Sequence, residues 1–185
     1  MPRLIIGSLL GAVFMFLLGY LAYGTPLMET GYKSASVEQQ LAVQSALKGL
    51  PTGTYTIPDG HSPEGMAAYN AGPIATVQVN SSGFAAYDPM VFLSGFIHMA
   101  VAAFILGLVL WSVRDRVADI GTRMQLVIWT SLVAVLFTRF GEPIWFHTDW
   151  PNALYVAAVE FVSLVGAGYI LARWFVPAMP RAAAA

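Results

Sequence analysis

Four long apolar runs, divided by one extended polar stretch and two short ones, organise this chain. A helix needs about 20 apolar residues to cross a hydrocarbon core about 30 Å thick, and it satisfies its own backbone hydrogen bonds on the way. Residues 4–23 meet that length after a lone Arg3. Ala22-Tyr23-Gly24 loosely suits a signal cleavage site, but the run outlasts the roughly 7–15 apolar residues of a signal peptide. A transmembrane helix is therefore expected. Residues 89–113 form the second span, with Asp88 as N-cap and Pro89 at the first helical position. The third, 124–141, follows Arg123 and stops at Glu142-Pro143, and the fourth, 151–174, opens on Pro151. Residues 175–185, with Pro177, Pro180 and four alanines, read as a frayed cytoplasmic tail.

The polar stretch, 24–88, carries signals of an independent module. Ser36-Val37-Glu38-Gln39 fits a capping box. Val37, Leu41, Ala42 and Leu47 then recur at helical spacing, and Lys48-Gly49-Leu50-Pro51 is a stop. The pattern predicts a helix over 37–48, short strands at 53–57, 74–79 and 84–87, and a Gly- and Pro-containing loop over 58–73. A module this short is marginal for a core of its own, so it is expected to lean on the membrane or on a partner. The fold class is thus an all-α membrane protein: four transmembrane helices and a small α+β extracytoplasmic domain between the first two.

Composition sharpens this picture. Of 185 residues, 57% are hydrophobic and only 10% charged, against roughly 25% charged in soluble domains. The net charge of -1 comes with no basic block, which argues against nucleic acid as a partner. The absence of cysteine removes disulfides, thiolate metal sites and cysteine catalysis. Basic residues set the expected orientation by the positive-inside rule. With both termini inside, Arg3, Arg114, Arg116, Arg123, Arg173 and Arg181 fall on the inner side, and Lys33, Lys48 and Arg139 on the outer. Tyr20, Tyr23, Tyr87, Trp145 and Trp150 would then form an outer aromatic belt, with Trp111 and Trp174 at the inner boundary. The expected location is a bacterial inner (cytoplasmic) membrane, with 24–88 outside.

Candidate chemistry gathers at membrane depth. His98 and Glu160 each follow the proline of their helix by nine residues, which puts both about 13 Å below the outer boundary at 1.5 Å per residue. His98 shares a stripe with Ser94, Gly95 and Ala102, and Glu160 with Ala153, Ala157, Ser163 and Ala167. Small and hydroxyl residues favour helix contact, while Phe92, Phe96, Phe161 and Val165 are expected to face lipid. Arg139 enters the third span from its outer end, within reach of Glu160. An unpaired charge at the bilayer centre costs about 2.5–3.5 kcal/mol on insertion scales, so Glu160 needs Arg139, His98 or a proton.

Two readings compete for this cluster: a static clamp that fixes helix register, or a site that handles protons or a quinone headgroup. A proton path usually shows more than one such pair, and the clamp takes precedence. Gly7 and Gly11 offer a small-residue packing motif no stronger than chance spacing. Glu142, His147 and Asp149 match no metal-ligand spacing, so the outer loop 142–150, with Trp145, Phe146 and Trp150, reads as an interfacial anchor. His61 reads as solvated, and one intramembrane histidine does not make a bis-histidine haem site. No phosphate loop, dinucleotide fingerprint, nucleophile elbow or zincin motif occurs.

The sequence therefore points first to a non-catalytic accessory subunit of a larger membrane complex. Its expected partners are the bilayer and other membrane subunits, with no metal or cofactor. The second reading is a quinone- or proton-handling protein, redox-coupled or transporting, that uses His98, Arg139 and Glu160, with a quinone or lipid as the bound molecule it would carry. The third is a sensor whose ligand sits between 58–73 and the outer loop.

Overall fold

The computed structural model describes residues 1–177. Four helical segments are long and apolar enough to cross a membrane, Pro2–Tyr23, Pro89–Val113, Ile120–Trp145 and Trp150–Phe175, which is the architecture of a multi-pass membrane protein. Helix α1 (Pro2–Tyr23) leads into a 3-10 turn, Pro26–Thr30, capped by the Thr25 hydroxyl. Helix α2 (Val37–Leu47) starts on the Ser36–Gln39 capping box, with both reciprocal bonds made, at 3.0 and 3.2 Å. Strand β1 (Gly53–Ile57), helix α3 (Pro63–Ala71) and antiparallel strand β2 (Ala75–Val79) follow, with Gly53 opposite Val79 and Ile57 opposite Ala75. Then come α4 (Pro89–Val113), α5 (Ile120–Arg139), the short α6 (Gly141–Trp145) and α7 (Trp150–Ile170).

Contacts between residues fix the packing as antiparallel. Gly11 lies against Ala103 of α4 and Ala167 of α7, while Gly107 meets Leu4 and Gly7 meets Phe175. A Cβ at Gly7, Gly107 or Gly168 would collide with a neighbouring side chain. Backbones approach closely there because lipid tails are as apolar as leucine, and van der Waals packing must hold the helices together. Helix α4 packs mainly on α1 and α5 mainly on α7, with α1 against α7 between them, so α4 and α5 touch each other little. They converge at the end nearest their connecting turn, where Leu4, Leu106, Leu110, Val127, Leu171 and Val176 form the core. Toward the opposite end, which carries the 33–87 cap, they diverge.

Five sequence expectations change. Residues 58–73 are not all loop: Ser62 accepts from the Gly65 amide at 2.9 Å and starts α3. The two-stranded sheet has no third strand at 84–87. The third span begins at Ile120 rather than 124, because Asp119 caps it by accepting from the Thr122 amide at 2.7 Å. The outer loop 142–150 contains α6, which begins directly after α5. The C-terminal end is anchored as far as Val176, which is fully buried, because α7 continues into a π turn, Leu171–Phe175, packed on the core. The remainder of the expected tail, 178–185, lies outside the described residues.

The cap has secondary structure without an interior. None of the residues from 32 to 88 is buried, and neither α2 nor α3 packs substantially on another element. Thr52 and Ser81 close the open end of the hairpin with a hydroxyl pair at 2.9 Å. Leu41 and Val43 of α2 are both 58% exposed.

Candidate functional site

Helices α5 and α7 are joined at the cap end by an ion pair. The Arg139 Nε donates to both carboxylate oxygens of Glu160, at 3.0 and 2.9 Å, and Nη2 donates to Oε1. A third prong runs from Nη1 to Glu142 Oε1 at 3.3 Å. Glu142 reaches back because α6 starts directly after α5 and places it one turn beyond Arg139. The planar guanidinium fork matches a carboxylate in this two-pronged way, and an ammonium could not. One cation thus faces two carboxylates.

Beside this pair lies a half-open cleft of about 320 Å³. It exists where α4 and α5 diverge over the α1–α7 pair, and all four helices line it. Tyr23, His98, Thr138, Glu160 and Ser163 supply its polar groups. Met15, Met99, Ala102 and Leu164 supply apolar wall. The Thr138 and Ser163 hydroxyls are engaged, donating to the Ala134 and Val159 carbonyls at 2.9 and 2.7 Å. No hydrogen bond within the described residues involves the His98 imidazole or the Tyr23 hydroxyl.

Tyr23 reaches this position through an aromatic cluster at the top of α1. Its ring packs edge-on against Tyr155 and Tyr32 at 6.1 and 6.3 Å. The Tyr155 hydroxyl donates to the Ala22 carbonyl at 2.6 Å, and Asn152 Nδ2 donates to the Gly31 carbonyl at 2.9 Å. Residues 24–32 are therefore part of the bundle, and the cap proper begins after them.

The other sequence candidates are dispersed. His98 and Glu160 line one cleft, with His98 exposed and Glu160 half-buried. Ser94 is exposed, and its hydroxyl turns back on the Met90 carbonyl. Gly95 faces open space rather than a helix. Phe92 and Phe96, expected in lipid, stack edge-on against Phe16 of α1 at 6.4 and 6.2 Å, with Phe92 still 52% exposed. That rotates α4 so that Ser94 and Gly95 leave the contact, and of their stripe His98 and Ala102 border the cleft. Ala153 and Ala157 are buried on α7. Of the residues of the 142–150 loop, Glu142 joins Arg139, Asp149 caps α7 through the Asn152 amide at 3.2 Å, and His147 is exposed at φ 52°. Trp145 and Trp150 are exposed, Trp150 stacking edge-on against Phe140 at 5.8 Å. Among the described residues no three His, Asp or Glu side chains gather as a metal site.

Arg123, an expected inner-side flanking charge, is a second polar device. It is buried, its Nη1 donating to the Ala172 carbonyl at 3.0 Å and its Nη2 to the Val176 carbonyl, while Nε has no partner among the described residues. The π turn makes this possible. The Val176 amide bonds back to Leu171, five residues earlier, which frees the Ala172 carbonyl. Nearby Asp119, fully solvated, has its carboxyl held below the ordinary value by the Thr122 amide, the Thr122 hydroxyl and the Gly121 amide. No protein-family model, curated protein or solved structure matches the chain.

Proposed function

We propose that this chain is a non-catalytic subunit of a larger membrane assembly, held in a bacterial inner membrane with both termini cytoplasmic and the 33–87 cap outside. The observation that carries this reading is the cap itself: two helices and a hairpin in which no residue is buried. Ordering a residue's backbone costs about 1–2 kcal/mol, and burial of apolar surface at about 25 cal/mol per Å² is the main compensation. Inside the cap that burial is absent, and a second subunit over Val37, Leu41 and Val43 supplies it. The Arg139–Glu160 pair then acts as a clamp that keeps α5 and α7 in one register beneath the docking surface. The distribution of basic residues supports the orientation.

Amide hydrogen exchange tests the proposal. In the purified chain the Tyr55 and Val77 amides are expected to exchange rapidly, and in native membranes slowly. Equal, strong protection in both preparations would mean that the cap is complete by itself.

A further inference from the structure

We infer that the cleft between α4 and α5 binds the ring headgroup of a neutral quinone-type amphiphile that enters from the membrane. This inference is independent of the subunit reading. The volume, about 320 Å³, lies at the lower end of ligand pockets, which combine apolar walls with a few convergent polar groups. Four helices supply the lining, and α4 and α5 touch each other little, so the accessible route is lateral, between those two.

The polar groups select the headgroup. The Tyr23 hydroxyl and the His98 imidazole are not engaged by other described residues, and each can donate or accept. They suit a ring oxygen that accepts as a carbonyl and donates as a hydroxyl. An anionic headgroup is disfavoured, because the nearest cation, Arg139, is held by Glu160 and Glu142. That pair adds fixed polarity at the wall without a free charge. The apolar lining selects a ring over a bare alkyl chain: Met15 and Met99 present thioethers, which make favourable contacts with aromatic edges. Ala102 and Leu164 add apolar wall against which a tail can lie.

The test uses the full chain in phosphatidylcholine nanodiscs, titrated with a decyl-substituted benzoquinone, with decanol as the tail alone and with decyl phosphate as an anionic head. Binding is read as a saturable rise in the thermal midpoint, because a ligand selective for the native state stabilises it by mass action. The quinone is expected to bind at least tenfold more tightly than decanol or decyl phosphate. Ala102→Phe should fill the cleft and abolish the effect, with helix content unchanged by circular dichroism. His98→Leu, at an exposed position that tolerates exchange, should weaken binding about tenfold, the loss of roughly one hydrogen bond. Equal binding of decanol, tighter binding of decyl phosphate, or undiminished quinone binding by His98→Leu would each overturn the assignment.

Discussion

Arg139 grips Glu160 through Nε and Nη2 together, tying the last turn of α5 to the middle of α7. Both side chains are about one-third exposed, at 33% and 32%, so the pair lies between the surface and buried limits. Surface pairs contribute about 0–1 kcal/mol, while breaking a buried pair costs about 3–5 kcal/mol. Glu160→Gln and Arg139→Gln should each destabilise the detergent-solubilised protein by about 2 kcal/mol. The double variant should lose clearly less than the sum, since each single change strands the other group. Thermal midpoints of the four proteins measure this coupling, and strict additivity would mean that the contact contributes nothing.

Arg123 predicts a different loss, local to the end of α7. Its two donors satisfy the Ala172 carbonyl, which the π turn leaves free, and the Val176 carbonyl just beyond that turn, and Arg123→Met removes both while sparing most of the side-chain volume. Each stranded carbonyl costs about 1–3 kcal/mol, offset in part because a buried charge is removed as well. A net loss of about 2 kcal/mol is expected, with faster exchange at the Val176 amide. An unchanged Val176 amide would show that the guanidinium does not hold this turn.

Close helix approach makes a paired prediction. A Cβ at Gly168 would run into the Val127 side chain, whereas a Cβ at Gly95 meets open space. Gly168→Ala should destabilise by about 1–3 kcal/mol through overpacking, and Gly95→Ala should be neutral or slightly stabilising because alanine favours helix. Matched thermal unfolding of the two variants decides it. Similar losses at both sites would contradict the packing described.

Acid should weaken the start of α5. The Asp119 carboxyl is held below its usual value of 3.8, so the carboxylate form is favoured by the fold. Its contribution is complete above that value and fades as pH falls through the lower folded-state value. Asp119→Ala should therefore unfold at a lower temperature than the parent at neutral pH, and the gap should close well below pH 3.8. A gap independent of pH would mean that the cap does not act through its charge.

Four spans, the proline-marked starts of α4 and α7 and the Ser36 capping box were legible because they depend on local chemistry and helical period. Ser62-Pro63-Glu64 carried an equally local start signal for α3, hidden by the surrounding glycines and prolines. Arg123 looked like a flanking charge because its partners, two backbone carbonyls at the end of another helix, leave no mark in composition. The rotation of α4 was illegible for a deeper reason: Phe92 and Phe96 are as much at home against Phe16 as against acyl chains. Tyr23 joined the cleft only through the register of α1 on α7, which no single segment encodes.

The most direct measurement is the native mass of the protein extracted from its own membrane in mild detergent, set beside that of a Leu41→Asp variant. A stoichiometric complex well above the 19.9 kDa chain, lost on placing a charge at that exposed leucine, is the outcome the subunit proposal predicts. A lone chain whose cap amides remain strongly protected would contradict it.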